Sequence, residues 1–137
     1  MERKELVKRL DKLTSIIVRL LDDKCCTCGK KLSFKQRQCG HYVPRIVEVT
    51  RWDLENCNVQ CATCNVEKGG NLKKYAEYME ERYGHVRHMM YDAIYETYKV
   101  GKLKQFPIEK LQSLYDERIR VVRKLEKYPE QYIPKSW

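Results

Sequence analysis

Apolar residues recur at helical spacing from the first turn of the chain. Leu6, Leu10, Leu13, Ile17 and Leu20 step by four, three, four and three, with lysine, arginine and aspartate between them. That seam predicts an amphipathic helix over residues 2–22, long enough to pack on another helix. Asp22 and Asp23 mark its end. Shorter runs follow: residues 37–43 and Cys57 to Gln60 predict strands, with Val43-Pro44 closing the first. Residues 44–55 read as a polar, exposed connection. From Asn65 a helix is expected, interrupted by Gly69-Gly70 and resumed from Leu72 to Tyr83, with Leu72, Tyr75, Tyr78 and Met79 on one side and Gly84 as its C-terminal cap. Val86, Met89, Ala93, Ile94 and Thr97 form the apolar stripe of a further helix that ends near Gly101. Pro107 opens another, with Leu111, Tyr115, Ile119, Val122 and Leu125 inside. Pro129 and Pro134 stop regular structure and leave a loosely held tail.

These elements predict an α+β chain, mostly α. It divides into an N-terminal helix (1–24), a central unit (25–71) and a C-terminal helical region (72–137), the flanking parts serving packing, dimerisation and DNA binding. At 137 residues it is one small domain with helical extensions. Much of the 42% hydrophobic fraction is cysteine and tyrosine, so the central core is thin and calls for a metal staple. The formal charge of +9 suggests a polyanionic partner. Its placement says more, because residues 25–51 hold Lys30, Lys31, Lys35, Arg37, Arg45 and Arg51 against Glu48 alone. No stretch is long and apolar enough to span a membrane. With no signal-peptide pattern, the expected compartment is the reduced cytoplasm.

The chemistry centres on two Cys-x-x-Cys pairs, Cys25 with Cys28 and Cys61 with Cys64. Four thiolates at that spacing suit one tetrahedral, structural Zn²⁺. Cys26, Cys39 and Cys57 are left over and read as small buried hydrophobes, Cys39 alone lying close enough to His41 to reach a metal. Between the pairs lies Gly40-His41-Tyr42, and Asn56 and Asn65 follow downstream. A histidine that takes a proton and an asparagine oxygen that holds a hard cation are the minimal parts of a metal-assisted phosphodiesterase. His85-x-x-His88 reads as a half-exposed helix face rather than a metal site. Tyr75, Tyr78, Tyr83, Tyr91, Tyr95 and Tyr98 read as core packing rather than a base-stacking platform.

The order His41, Asn56, Asn65, with the last directly after a Cys-x-x-Cys, resembles the HNH, or ββα-metal, nucleases. Gly40-His41-Tyr42, Thr50-Arg51-Trp52-Asp53, Asn56, Gln60-Cys61-Ala62-Thr63-Cys64-Asn65, Lys68 and Gly70-Asn71 resemble the phage Rap/NinG recombination proteins over residues 25–84. The layout is also similar to phage recombination endonuclease VII. The resemblance implies a zinc-stapled ββα-metal core and an endonuclease that cleaves branched DNA such as Holliday junctions, leaving 5′-phosphate and 3′-hydroxyl ends, and working as a homodimer. It implies His41 as general base, Asn65 as ligand of a catalytic Mg²⁺ or Mn²⁺, and Asn56 as the residue that fixes the loop behind the histidine. Arg45, Arg51 and Lys68 are the expected phosphate contacts. Many HNH enzymes carry an aspartate before the histidine, where this chain has Gly40. The second metal ligand is therefore open among Asp53, Glu55, Glu67 and Asn71. Two rivals stand beside this reading: an HNH nickase of ordinary duplex, and a non-catalytic zinc-ribbon DNA-binding module.

Overall fold

In the computed structural model, which describes residues 1–125 and 131–137, helix α1 (Arg3–Leu21) is the axis of the packing. Leu6, Leu10, Leu13 and Ile17 are fully buried as the seam predicts, and Thr14, Ile16 and Val18 are buried as well. The wider burial arises because α1 is covered on two sides, by α5 (Ile108–Leu125) and by strands β1 (Gln38–His41) and β2 (Cys57–Gln60). From α5 come Leu111, Tyr115, Ile119 and Val122, while Leu125 stays exposed. The stripes of α1 and α5 thus bury each other within one chain. The tail is held rather than loose. Ile133 enters the α1–α5 core, and the Arg9 guanidinium sits 4.7 Å from the Trp137 ring centroid. Pro129 lies outside the described residues.

Strands β1 and β2 pair antiparallel, with Gln38 opposite Gln60, Cys39 opposite Val59, Gly40 opposite Asn58 and His41 opposite Cys57. Alternation puts Cys39, His41, Cys57 and Val59 on one face, and Gln38, Gly40, Asn58 and Gln60 on the other. Helix α1 covers the first face. Helix α3 (Leu72–Tyr83) covers the second, where the Tyr75 phenol donates to the Gly40 carbonyl at 2.8 Å and Asn58 Nδ2 donates to Tyr75 Oη at 3.1 Å.

Three expectations need correction. Residues 44–55 are not an exposed connection: they contain a short helix α2 (Glu48–Arg51), and Val43, Val47, Thr50 and Trp52 are buried. Trp52 joins the α1–α5 core, donates its indole N–H to Asp11 Oδ1 at 2.9 Å and receives Arg118 on its carbonyl at 2.8 Å. Helix α4 (His85–Lys99) turns the opposite face inward from the one its aliphatic residues suggest. Val86 is 81% exposed and Met89 40%, whereas His88 and Tyr91 are buried. The aromatic face wins because its polar tips find partners: Tyr91 Oη donates to Asp53 Oδ2 at 2.7 Å, and His88 Nε2 lies 2.9 Å from Tyr42 Oη. His88 is therefore a buried tie between α4 and the end of β1, not a half-exposed position. The tyrosine series packs as expected, with Tyr75 and Tyr91 in the core formed with Val43, Val47 and Met79. Leu72, expected inside, is 55% exposed.

If α1 organises the packing, Leu10→Ala should cost about 3 kcal/mol, as buried Leu→Ala changes do. Urea denaturation of the zinc-loaded protein measures this, and a loss under about 1 kcal/mol would contradict the assignment.

Candidate functional site

The turn around Cys25 and Cys28 folds back on itself. Gly29, at φ +77°, donates its N–H to the Cys25 carbonyl at 2.8 Å, a conformation that favours glycine. The second turn leads into a π-type segment, Thr63–Glu67, in which Lys68 N–H donates to the Thr63 carbonyl at 2.9 Å. Together the two turns bring the sulfurs of Cys25, Cys28, Cys61 and Cys64 within 4.8 Å of one another. Cys28 Sγ and Cys61 Sγ are 3.8 Å apart, close to the edge of a tetrahedron built on Zn–S bonds of about 2.3 Å. Second contacts support the sulfurs: Thr27 Oγ1 lies 3.3 Å from Cys25 Sγ and Asn71 Nδ2 donates to Cys64 Sγ at 3.5 Å. Burial pushes the Cys25 thiol up, but hydrogen bonds from Thr27 and backbone amides outweigh it and bring the thiol down to about 6. At Cys28 a backbone hydrogen bond from Lys30 pulls down, and burial and the other three thiols push up to about 12. One thiolate thus opposes the next until a divalent cation offsets the charge. The four cysteines fit a structural Zn²⁺.

His41 ends β1 with its Nε2 2.9 Å from the Arg51 carbonyl oxygen. A carbonyl only accepts, so Nε2 carries the proton and Nδ1 keeps a lone pair. Burial holds the imidazole below its ordinary 6.5, with the Arg45 guanidinium lowering it further against the pull of the Arg51 carbonyl. Asn56 is fully buried behind it. Its Oδ1 accepts from Val43 N–H at 2.8 Å, and its Nδ2 donates to the Val43 and Thr50 carbonyls at 3.1 Å each. All the amide's main valences go into pinning the two ends of the loop that carries Arg51.

His41 opens onto a cleft of about 410 Å³ between α1 and β1, with Arg19, Arg37, Arg45 and Arg51 on its walls. Asp11 is the carboxylate there. Arg51 donates to both its oxygens, Nε to Oδ1 at 2.8 Å and Nη2 to Oδ2 at 2.6 Å, and Arg45 reaches Oδ2 at 3.2 Å. The two arginines chosen from sequence are thus partly neutralised. Arg19 and Arg37 have no carboxylate partner among the described residues; Arg19 Nε bonds Ser15, and Arg37 bonds the carbonyls of Leu32 and Arg19. Sequence reasoning did not single them out, although Arg37 lies in the basic segment and Arg19 six residues before it. Lys68 lines a different cleft, with Lys30 and Lys35 beside the zinc knuckles, and Gln38 borders both.

Asn65 donates its Nδ2 to Gln38 Oε1 at 2.8 Å, and Gln38 borders the cleft that His41 lines. Gly40 cannot be replaced by a ligand there, since a Cβ would lie 2.0 Å from Gln60 Oε1, and Gln60 is locked by its Nε2 onto Thr27 and the Gly70 carbonyl. Of the candidate second ligands, Asp53 accepts from Tyr91, Glu55 pairs with Arg87, Asn71 serves Cys64, and Glu67 is exposed two residues from Asn65. Mg²⁺ usually draws on one or two carboxylates, and the ligand clusters found among the described residues contain none. The sheet also brings the sulfurs of Cys39, read as a filler able to reach a metal beside His41, and of Cys57, read as a filler, within 4.8 Å of a His41 ring nitrogen and of each other. The signal was legible as parity: Cys39 and His41 share a strand face.

Fold and site define a small helical protein in which a four-cysteine knuckle braces a strand pair, and a histidine on that pair faces an arginine-lined cleft. The chain belongs to the NinG family, whose model, described as Bacteriophage Lambda NinG protein, matches residues 1–128. Over 64 residues it is 38% identical to Protein ninG of Salmonella phage P22, a span that covers 46% of this chain and 31% of that protein. No solved structure matches it. No helix among the described residues is long and apolar enough to cross a membrane.

Two outcomes follow from this geometry. Chelating the knuckle metal should abolish amide-exchange protection in β2 (Cys57–Gln60) while the α1–α5 pair keeps some of its own; full protection in the metal-free protein would contradict a structural zinc. With zinc in the four-cysteine site, His41 should titrate by NMR below 6.5. The neutral form is favoured by folding, so this group's contribution to stability is present above 6.5 and is lost as pH falls through the folded value. A midpoint at or above 6.5 would refute the burial argument.

Proposed function

We propose that this protein is a ββα-metal-type endonuclease that hydrolyses DNA phosphodiesters, with branched DNA as its substrate, as the resemblance to the Rap/NinG and endonuclease VII proteins suggests. One observation carries the proposal: His41, with Nε2–H committed to the Arg51 carbonyl at 2.9 Å, offers a free Nδ1 beside a cleft where four guanidiniums converge. Arg19 and Arg37 bind the non-bridging oxygens of a phosphodiester, and Arg51, held by Asp11, stabilises charge that grows on the phosphorane. His41 Nδ1 takes a proton from a water in line with the 3′ oxygen. The water's oxygen bonds phosphorus as the P–O3′ bond breaks, and the leaving 3′ oxygen takes a proton from solvent, giving a 5′-phosphate and a 3′-hydroxyl. Asn56 positions His41 rather than touching the substrate. Lys30, Lys35 and Lys68 extend the cationic surface past the knuckles for a second stretch of backbone.

A divalent ion, where one takes part, arrives with the DNA, held by phosphate oxygens and water as Mg²⁺ usually is. Paired nicks in strands of like polarity call for two active sites, which a homodimer would supply.

A labelled four-way junction and a matched duplex, each with Mg²⁺ or Mn²⁺ and without, test the reading. Nicks confined to the junction are expected, and His41→Ala should slow them by about a hundredfold or more with affinity unchanged. Binding of both DNAs with no cleavage would replace the nuclease by a zinc-knuckle DNA-binding protein.

A further inference from the structure

We propose that Cys39, His41 and Cys57 form a second metal site, distinct from the four-cysteine knuckle, which takes Zn²⁺ and blocks the cleft when filled. Its geometry follows from register. Cys39 and His41 are two residues apart on β1, and Cys57 lies directly opposite His41 on β2, so all three side chains leave the sheet on the α1 face. Their ligand atoms lie within 4.8 Å of one another. Two thiols and an imidazole are soft-to-borderline donors, which select zinc and exclude Mg²⁺. Zinc sites with three protein ligands keep a fourth position for water or substrate. Here that position falls to the cleft, since Cys39 and His41 both line it.

Two further features of the structure agree. The hydrogen bond from Nε2–H to the Arg51 carbonyl is the kind that orients ligating histidines and leaves Nδ1 to the metal. Thr14, 1% exposed, lines the cleft with a buried Oγ1 that has no hydrogen-bond partner, and a water or phosphate oxygen on the metal would supply one. Binding displaces the thiol protons of Cys39 and Cys57, and the resulting thiolates neutralise the ion among the arginines. A metal-bound imidazole has no lone pair left for water, so zinc switches off the base assigned to His41. That consequence rests on the proposed nuclease reading; the metal site itself does not.

Native mass spectrometry of the reduced protein, equilibrated with free Zn²⁺ and separately with Co²⁺, counts the ions. Two per chain are expected in the wild type, with the second Co²⁺ giving a weaker thiolate charge-transfer band than the four-thiolate site. Cys39→Ala and Cys57→Val should each bind one; the valine fills the buried Cys57 position, so either variant suffices if the other fails to fold. One ion in the wild type, or two in both variants, would overturn the site. In the nicking assay the second equivalent of Zn²⁺ should slow the wild type about a hundredfold and leave Cys39→Ala at its single-zinc rate. Two ions bound with nicking undiminished would overturn the block. If no nicking exists at all, the nuclease reading fails, and the ion count still decides the site.

Discussion

The convergence of four sulfurs is the constraint on which the rest depends. Cys25 and Cys28 precede β1, Cys61 and Cys64 follow β2, and their meeting closes a loop that holds both strands, α2 and the cleft wall. A two-stranded sheet has too little surface to stand alone in water. The four-cysteine cluster on one end, which fits Zn²⁺, and α1 on one face supply what it lacks. With the clasp set, the β1–β2 register fixes which side chains share a face, and the register in turn decides the chemistry. His41 is placed with Cys39 and Cys57 under α1, and Gln38, which Asn65 bonds, on the alternate face.

Electrostatics in the cleft follow from one acid among many bases. Burial alone would raise the Asp11 carboxyl, but hydrogen bonds from Arg51 and Trp52 hold it below 3.8. Asp11 thereby ties α1 to the loop behind His41 and offsets part of the charge of Arg45 and Arg51. Arg19 and Arg37 sit over the Phe34 ring at 4.9 and 5.7 Å, a cation–π arrangement that places charge without consuming it. The cleft therefore holds an arginine pair that is braced and an arginine pair that is available, a division suited to gripping an anion whose charge grows during reaction.

Much of this was legible in the sequence where period and punctuation agreed. Strand β2 and helix α3 fall on the residues their patterns mark, and the Cys-x-x-Cys spacing leads to the observed sulfur cluster. The failures have physical causes. Residues 44–55 lack periodicity because Trp52, Val47 and Thr50 each pack on a different neighbour, so no stripe forms. Helix α4 misled because Val86, Met89 and Ala93 look apolar residue by residue, whereas His88 and Tyr91 bury more surface and satisfy their polar tips. Arg19 and Arg37 were passed over because a guanidinium's partners depend on tertiary contacts.

The central claim is that His41 acts as a base toward a phosphodiester held in the arginine cleft. Removing the ring and returning it from solution tests that most directly. His41→Gly should lose nicking of a four-way junction and regain it in proportion to added imidazole, because the vacated space opens onto the cleft. Nicking by His41→Gly at the wild-type rate, with imidazole making no difference, would contradict the account.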